Sequence, residues 1–302
     1  MTTPKITSTV VQLSFAAAFS ALVLGGVIMG FSPVFVRAAE TSSFVSAFWR
    51  VLFALPFLAF WAVWEAKRSG MRFKPKFSKP AILAGIFFAG DLTFWHLSIL
   101  NTTMANATFM GCMAPVWVVL LSRFTIGEST PLRAMGGLGL CLIGLALLIS
   151  ASVQFNPERL LGDIYGLITS VFLGLYFLAM RFGRSTAKSG NLFFTSTCIT
   201  TLCLFVIALF LGGSFFPETW KGWAALFSLG AFTHAGGQGL VTIALGSLTA
   251  MFSSLVIFIE AVAAAVSGWV LFDEHLGPME IAGGILILAG VWFSRPKRET
   301  KT

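Results

Sequence analysis

The chain reads as a succession of long apolar runs separated by short polar breaks. The runs cover approximately residues 10–36, 43–65, 80–100, 102–124, 131–151, 162–181, 190–212, 221–244, 247–272 and 278–294. About 20 apolar residues carry a helix across a bilayer core of roughly 30 Å, so each run is long enough to span. Barrel strands need only about 10 residues each, and runs of this length exclude them. Most breaks are unambiguous: EAKRSGMRFKPKFSKP at 65–80, the Pro-containing acidic stretch at 154–163, and GGSFFPETWKG at 212–222. Two are tight, at Asn101 and at Gly246–Ser247. The first run is too long for the apolar core of a secretory signal and is kept as a span. The pattern predicts an all-α integral membrane protein with ten transmembrane helices.

Composition agrees with this reading and removes other classes. Only 11% of the 302 residues are charged and 57% belong to the apolar and aromatic set, with a mean hydropathy of +0.88. A soluble chain carries about 25% charged residues. The net charge of +8 does not indicate nucleic-acid binding, because the basic residues are spread over short breaks and form no patch. It acts as a topology signal. Of 20 Lys and Arg residues, 16 fall on the N-terminal side, three (Arg37, Arg159, Lys221) on the other, and Arg50 inside a run. By the positive-inside rule both termini are expected in the cytoplasm. Cys112, Cys141, Cys198 and Cys203 all lie in apolar runs without C-x-x-C spacing, so neither a metal site nor a disulfide framework is expected.

The chain also repeats itself. A shift of 146 residues pairs Thr103 with Thr249, Val116 with Val262, Glu128 with Glu274, Gly137 with Gly283, Leu140 with Leu286, Leu142 with Leu288 and Gly144 with Gly290. A shift of 144 pairs Gly30 with Gly174 and Arg37 with Arg181. Five runs fall in residues 1–151 and five in 152–302. Five is odd, so the halves must lie upside down to one another. Inverted repeats of this kind belong to secondary transporters, with the substrate between the halves near the membrane midplane.

Three stretches carry a family resemblance. APVWVVLLSRFTIGE (114–128) and IEAVAAAVSGWVLFDE (259–274) resemble the ends of two EamA repeats, and GDIYGLITSVFLGLYFLAMR (162–181) resembles the opening of a second half. Over nearly its whole length the chain is similar to the bacterial ten-helix drug/metabolite transporter superfamily. That resemblance implies export of small organic metabolites, amino acids first, across the cytoplasmic membrane through a central cavity by alternating access. One departure stands out: the family's Glu-Pro in the ninth span is here Glu260-Ala261.

Ionisable groups inside spans are costly and are functional candidates by default. Asp91 shares a helical face with Ala84, Phe87, Phe88, Phe94, Trp95 and Ser98, an aromatic-lined face suited to a small metabolite. The competing reading is a structural ion pair with Arg50. Glu260 stands among Ser253, Ala263, Ala264 and Ser267, and the resemblance favours a fold or gating role for it. His234 and Gln238, four residues apart beside glycines, form a candidate carboxylate site. His96 points about 140° away from Asp91 at ideal helical spacing. Asn106 with Met110, and Tyr176 with Phe172, are further lining candidates. Pro33, Pro56 and Pro115 lie within spans and should permit kinks, with Pro33 and Pro115 as candidate hinges. No G-x-x-x-x-G-K-[ST] loop supports ATP drive. No cofactor is expected. The partners expected are a small-molecule substrate, the lipid bilayer and, as a coupling ion, protons. An intramembrane hydrolase or group transferase is the alternative class, and a channel or receptor a third. No nucleophile motif, filter-like loop or extramembrane domain favours either.

Overall fold

The computed structural model describes residues 12–150, 157–272 and 275–296. Glu274, paired with Glu128 by the repeat, lies outside the described residues. Among the described residues there is no strand. The helices are α1 (Phe15–Met29), α2 (Ser32–Arg37), α3 (Ser43–Arg68), α4 (Lys79–Asn101), α5 (Met104–Gly111), α6 (Ala114–Thr125) and α7 (Leu132–Leu148) in the first half. The second half holds α8 (Leu160–Arg184), α9 (Ser189–Leu211), α10 (Trp220–Ser228), α11 (Gly239–Ala244), α12 (Ala250–Ser254), α13 (Val256–Phe272) and α14 (Pro278–Phe293). Between α10 and α11 the chain stays helical but is wound as a π-helix over Leu229–Gln238.

Among the described residues, seven helical stretches are long and apolar enough to cross a membrane: Phe15–Arg37, Ser43–Arg68, Lys79–Asn101, Ala105–Thr125, Pro157–Arg184, Ser189–Leu211 and Ala250–Leu271. Leu132–Leu148 and Pro278–Phe293 are shorter apolar helices. Large side chains such as Phe124, Leu132, Phe210 and Ile285 point outward, as a lipid-facing surface requires.

Several of the apolar runs are broken inside, and the cause is local. The α1–α2 and α5–α6 breaks lie immediately before Pro33 and Pro115, each the second residue of the new helix. Proline has no N–H to continue the ladder and disfavours helix in the residue before it. Pro56 stands inside α3, which runs through uninterrupted. The α12–α13 break needs no proline: Leu255 N bonds Phe252 O at 3.3 Å and Phe258 N bonds Leu255 O at 3.1 Å, a tightened turn.

The two tight inter-span breaks are made by the repeat itself. Thr103 caps α5 by accepting from Asn106 N, and Thr249 caps α12 by accepting from Phe252 N. Each threonine satisfies one of the donors that a helix start leaves free. The halves interlock: α4 and α6 pack along α8, while α1 packs on α13, α11 and the π segment. Gly30 and Gly174, matched by the repeat, do equivalent work. A Cβ on Gly30 would meet Glu260 O at 2.9 Å, and one on Gly174 would meet Ala114 O at 3.1 Å.

The pair α7–α14 is joined glycine to glycine. A Cβ on Gly137 would lie 2.6 Å from Gly290 O, and one on Gly144 would lie 2.8 Å from Gly283 O; the reverse approaches are as close. Small residues that let backbones touch are the adhesive of membrane helices. Gly283→Val is therefore expected to destabilise the protein in detergent by about 2 kcal/mol, as overpacking does. Gly139→Val, which meets nothing within 4 Å, should leave it unchanged. Thermal unfolding of the two variants checks this, and equal midpoints would refute the close seam.

Candidate functional site

Between the two halves lies a cavity of about 760 Å³. Its deep wall is built from Phe88, Phe177, Gln238 and Val256, and its sides carry Arg50 from α3, Asp91 and Trp95 from α4, Thr169 from α8, and Glu260 from α13. Thus both signs of charge and aromatic surface line one space, which is the chemistry of a small polar ligand's pocket. The mouth is formed by Arg37, Ile99, Leu148, Ile149, His275 and Glu280, all at helix ends away from the side where α1 begins.

The side where α1 begins is closed. Arg181 Nε donates to Glu128 Oε1 at 2.6 Å, and its Nη1 donates to Leu245 O at 2.9 Å. The other Glu128 oxygen accepts from Ala250 N, at the start of α12, at 2.8 Å. A carboxylate at a helix N-terminus is favourably placed in its own right. Leu13 N donates to Ser247 Oγ at 2.9 Å, and the rings of Phe15, Phe19 and Phe252 cluster within 6.0 Å, centroid to centroid. Residues from both repeats therefore meet in this closure.

The candidate residues distribute over distinct positions. Asp91, Trp95 and Gln238 line the cavity, as do Arg50, Glu260 and Pro33. Arg181 and Glu128 form an ion pair; among the described residues neither Asp91 nor Glu260 closes one on Arg50, and Arg50 Nε has no hydrogen-bond partner. Gln238 Nε2 donates to Tyr176 OH at 2.9 Å, so the fully buried Tyr176 stands behind the wall and positions the amide. His234 is enclosed between the rings of Phe88 and Phe193, with Nε2 at 3.2 Å from Thr197 Oγ1. It contributes to the packing behind Gln238 and lines neither the cavity nor the void beside Arg50. Asn106 Nδ2 donates to Asp163 Oδ1 at 3.1 Å, beside Thr102, and ties α5 to α8. Met110 packs against Gly166 of α8. Pro115 opens α6 behind the cavity wall. His96 Nδ1 bonds Leu92 O at 2.7 Å and faces only a small void beside Arg50.

The residue pattern did not disclose three things. The π winding around His234 and Gln238 has a signal only in the glycine-rich run GAFTHAGGQG; such segments recur at functional sites. Ser32, whose buried hydroxyl lacks a partner among the described residues, is in the sequence one small residue among many. The Glu128–Arg181 closure was visible only as two separate repeat matches.

A model of the EamA-like transporter family matches residues 16–150 and again 160–295. The chain is 27% identical over 218 residues to the pseudopaline exporter CntI of Pseudomonas aeruginosa, covering 72% of this chain and 75% of the exporter. It is 25% identical over 286 residues to the uncharacterized transporter YxxF of Bacillus subtilis, covering 93% and 90% of the two chains. An uncharacterized transporter of Archaeoglobus fulgidus is 25% identical over 278 residues, with 90% and 94% covered. A crystal structure superimposes with a TM-score of 0.78 over 93% of this chain and 98% of its own, at 16% identity, and so shares the fold. These likenesses point to transport and away from enzymatic chemistry. With both halves matched, the chain is a membrane transporter and belongs to the EamA-like transporter family.

Proposed function

We propose that this protein exports small zwitterionic metabolites, amino acids above all, across the cytoplasmic membrane by alternating access. Ten spans would place both termini in the cytoplasm, in keeping with the 16-to-3 distribution of basic residues. The single observation that carries the reading is a charged, aromatic-walled cavity between inverted halves, open at one end and closed at the other by Glu128, Arg181 and Ala250. On this topology the open end faces outward. Export as the direction is supported by the similarity to the pseudopaline exporter of Pseudomonas aeruginosa, and amino acids by the sequence's resemblance to exporters such as YddG. Asp91, Trp95 and Gln238 are the side chains placed to touch cargo, with Tyr176 and His234 supporting Gln238 and with Asn106 and Met110 fixing α5 against α8. Neutral and aromatic amino acids suit the Phe88, Trp95 and Phe177 walls.

The test is uptake of labelled amino acids into proteoliposomes, with and without a pH gradient. Saturable flux above protein-free vesicles is expected. Flux of no amino acid would overturn the cargo assignment, and indifference to the gradient would exclude protons as the coupling ion. Pro115→Ala separates a hinge from a static bend. As a hinge, the residue permits α5 and α6 to swing, so the variant should transport several-fold more slowly at unchanged thermal stability. An unchanged rate would remove Pro115 from the moving parts.

A further inference from the structure

Four buried side-chain polar atoms have no hydrogen-bond partner among the described residues, Arg50 Nε, Ser32 Oγ, His234 Nδ1 and Ser253 Oγ, and the first two belong to residues that line the cavity. Those two are not scattered. Both residues also line a small void of about 20 Å³ that the main cavity shares a wall with, together with Trp95, His96 and Leu92. Ser32 is 92% buried, being 8% exposed. An unmet buried donor costs about as much as a lost hydrogen bond, more when charged, so two at one spot form a site built to receive an acceptor. A guanidinium edge next to a hydroxyl matches a carboxylate, whose two oxygens accept both. Asp91 and Glu260 line the same cavity, and they are the two acids whose charge acts on Arg50. Neither reaches it as an ion pair, which leaves the guanidinium available.

We infer that Arg50 and Ser32 form a carboxylate-binding subsite, and that Asp91 and Glu260 receive the ammonium group of the same zwitterion. Arg50 is then a specificity-determining residue. The inference rests on the cavity being the cargo site and sharpens it: the cargo must carry a carboxylate. The void by Ser32 is large enough for one oxygen-sized atom, so one carboxylate oxygen seats there while the other stays at the mouth of the subsite.

The experiment is competition in proteoliposomes that move a labelled amino acid. Each competitor is offered as the free amino acid, its primary amide and its decarboxylated amine. Wild type should be inhibited by the acid and about tenfold or more weakly by the amide and the amine, the loss expected for a charge-assisted hydrogen bond. Arg50→Lys should keep the preference for the acid at lower affinity, Ser32→Ala should weaken acid binding several-fold, and Arg50→Gln should bind acid and amide alike. Thermal unfolding confirms that each variant is folded. If Arg50→Gln does not fold, the Arg50→Lys and Ser32→Ala responses decide.

An amide that competes as well as the acid in wild type overturns the subsite while leaving amino-acid export standing. The same holds for an acid preference that survives in Arg50→Gln. If no amino acid moves, quenching of tryptophan fluorescence by acetate and by acetamide is measured on the purified protein. Binding of acetate alone, abolished by Arg50→Gln, upholds the subsite and discards the amino-acid cargo. Equal responses to both probes discard the two together.

Discussion

Replacing Glu128 with alanine is expected to open the closed side of the cavity. The carboxylate holds three elements at once: Arg181 on α8, the start of α12, and through Arg181 the Leu245 carbonyl at the end of α11. A charge-assisted hydrogen bond away from water is worth about 1.5–3 kcal/mol. These side chains are 20–25% exposed, so solvent screening reduces that figure. A combined loss of about 2–3 kcal/mol changes the open-to-closed ratio at this end roughly 30- to 150-fold. A cysteine at Ala264, on the cavity wall, reports the change in a background free of the four native cysteines. In the parent it should react with a membrane-impermeant maleimide only from the side of Arg37. In Glu128→Ala it should react from both sides, and Glu128→Gln, which keeps an acceptor for Ala250 N but loses the ion pair, should fall between. Unaltered labelling in Glu128→Ala would show that the aromatic cluster of Phe15, Phe19 and Phe252 closes this end unaided.

The second large effect concerns charge balance at Arg50. Its counter-charges are Glu260 and Asp91, both lining the cavity and neither in contact with it as an ion pair. Neutralising both, as Asp91→Asn with Glu260→Gln, leaves a cation in the middle of the membrane without compensation. Removing one side of a buried charge arrangement typically costs 3–5 kcal/mol; water in the cavity brings this to about 3 kcal/mol. The double variant should therefore unfold in detergent well below wild type. Adding Arg50→Met should restore most of the loss, because the charge that needed partners is gone. Both variants should be inactive in transport, so stability is the readout. A double variant as stable as wild type would mean that solvent, and not the two acids, balances Arg50.

The spans and their tight boundaries are local properties: apolar length, a proline or a capping threonine decides them, so Thr103, Thr249, Pro33 and Pro115 are readable one by one. The repeat is readable because Gly137, Gly144, Gly283 and Gly290 keep their spacing. Asp91 and Trp95 are readable as cavity residues because polar or aromatic groups in apolar runs have few other uses, whereas Glu260 reads as a fold or gating element and its place on the cavity wall comes from the packing. What resists reading is tertiary. Glu128 and Arg181 are 53 positions apart and meet only because α6 and α8 are packed together. His234 and Gln238 share a face at ordinary helical spacing, yet the π winding and the flanking rings of Phe88 and Phe193 enclose one and present the other to the cavity. The orphaned hydroxyl of Ser32 depends on what fails to reach it, which no local pattern encodes.

The glycine seam between α7 and α14 has a mechanical consequence. Gly137 touches Gly290 and Gly144 touches Gly283, and the repeat maps Gly137 onto Gly283 and Gly144 onto Gly290. Exchanging the conformations of the two halves therefore converts each contact into the other, and both already exist. In a cycle of that kind the seam is invariant: it is a keel, the same in either state, while the closure at Glu128 forms and breaks. A covalent staple placed across it should travel through every turnover without slowing one.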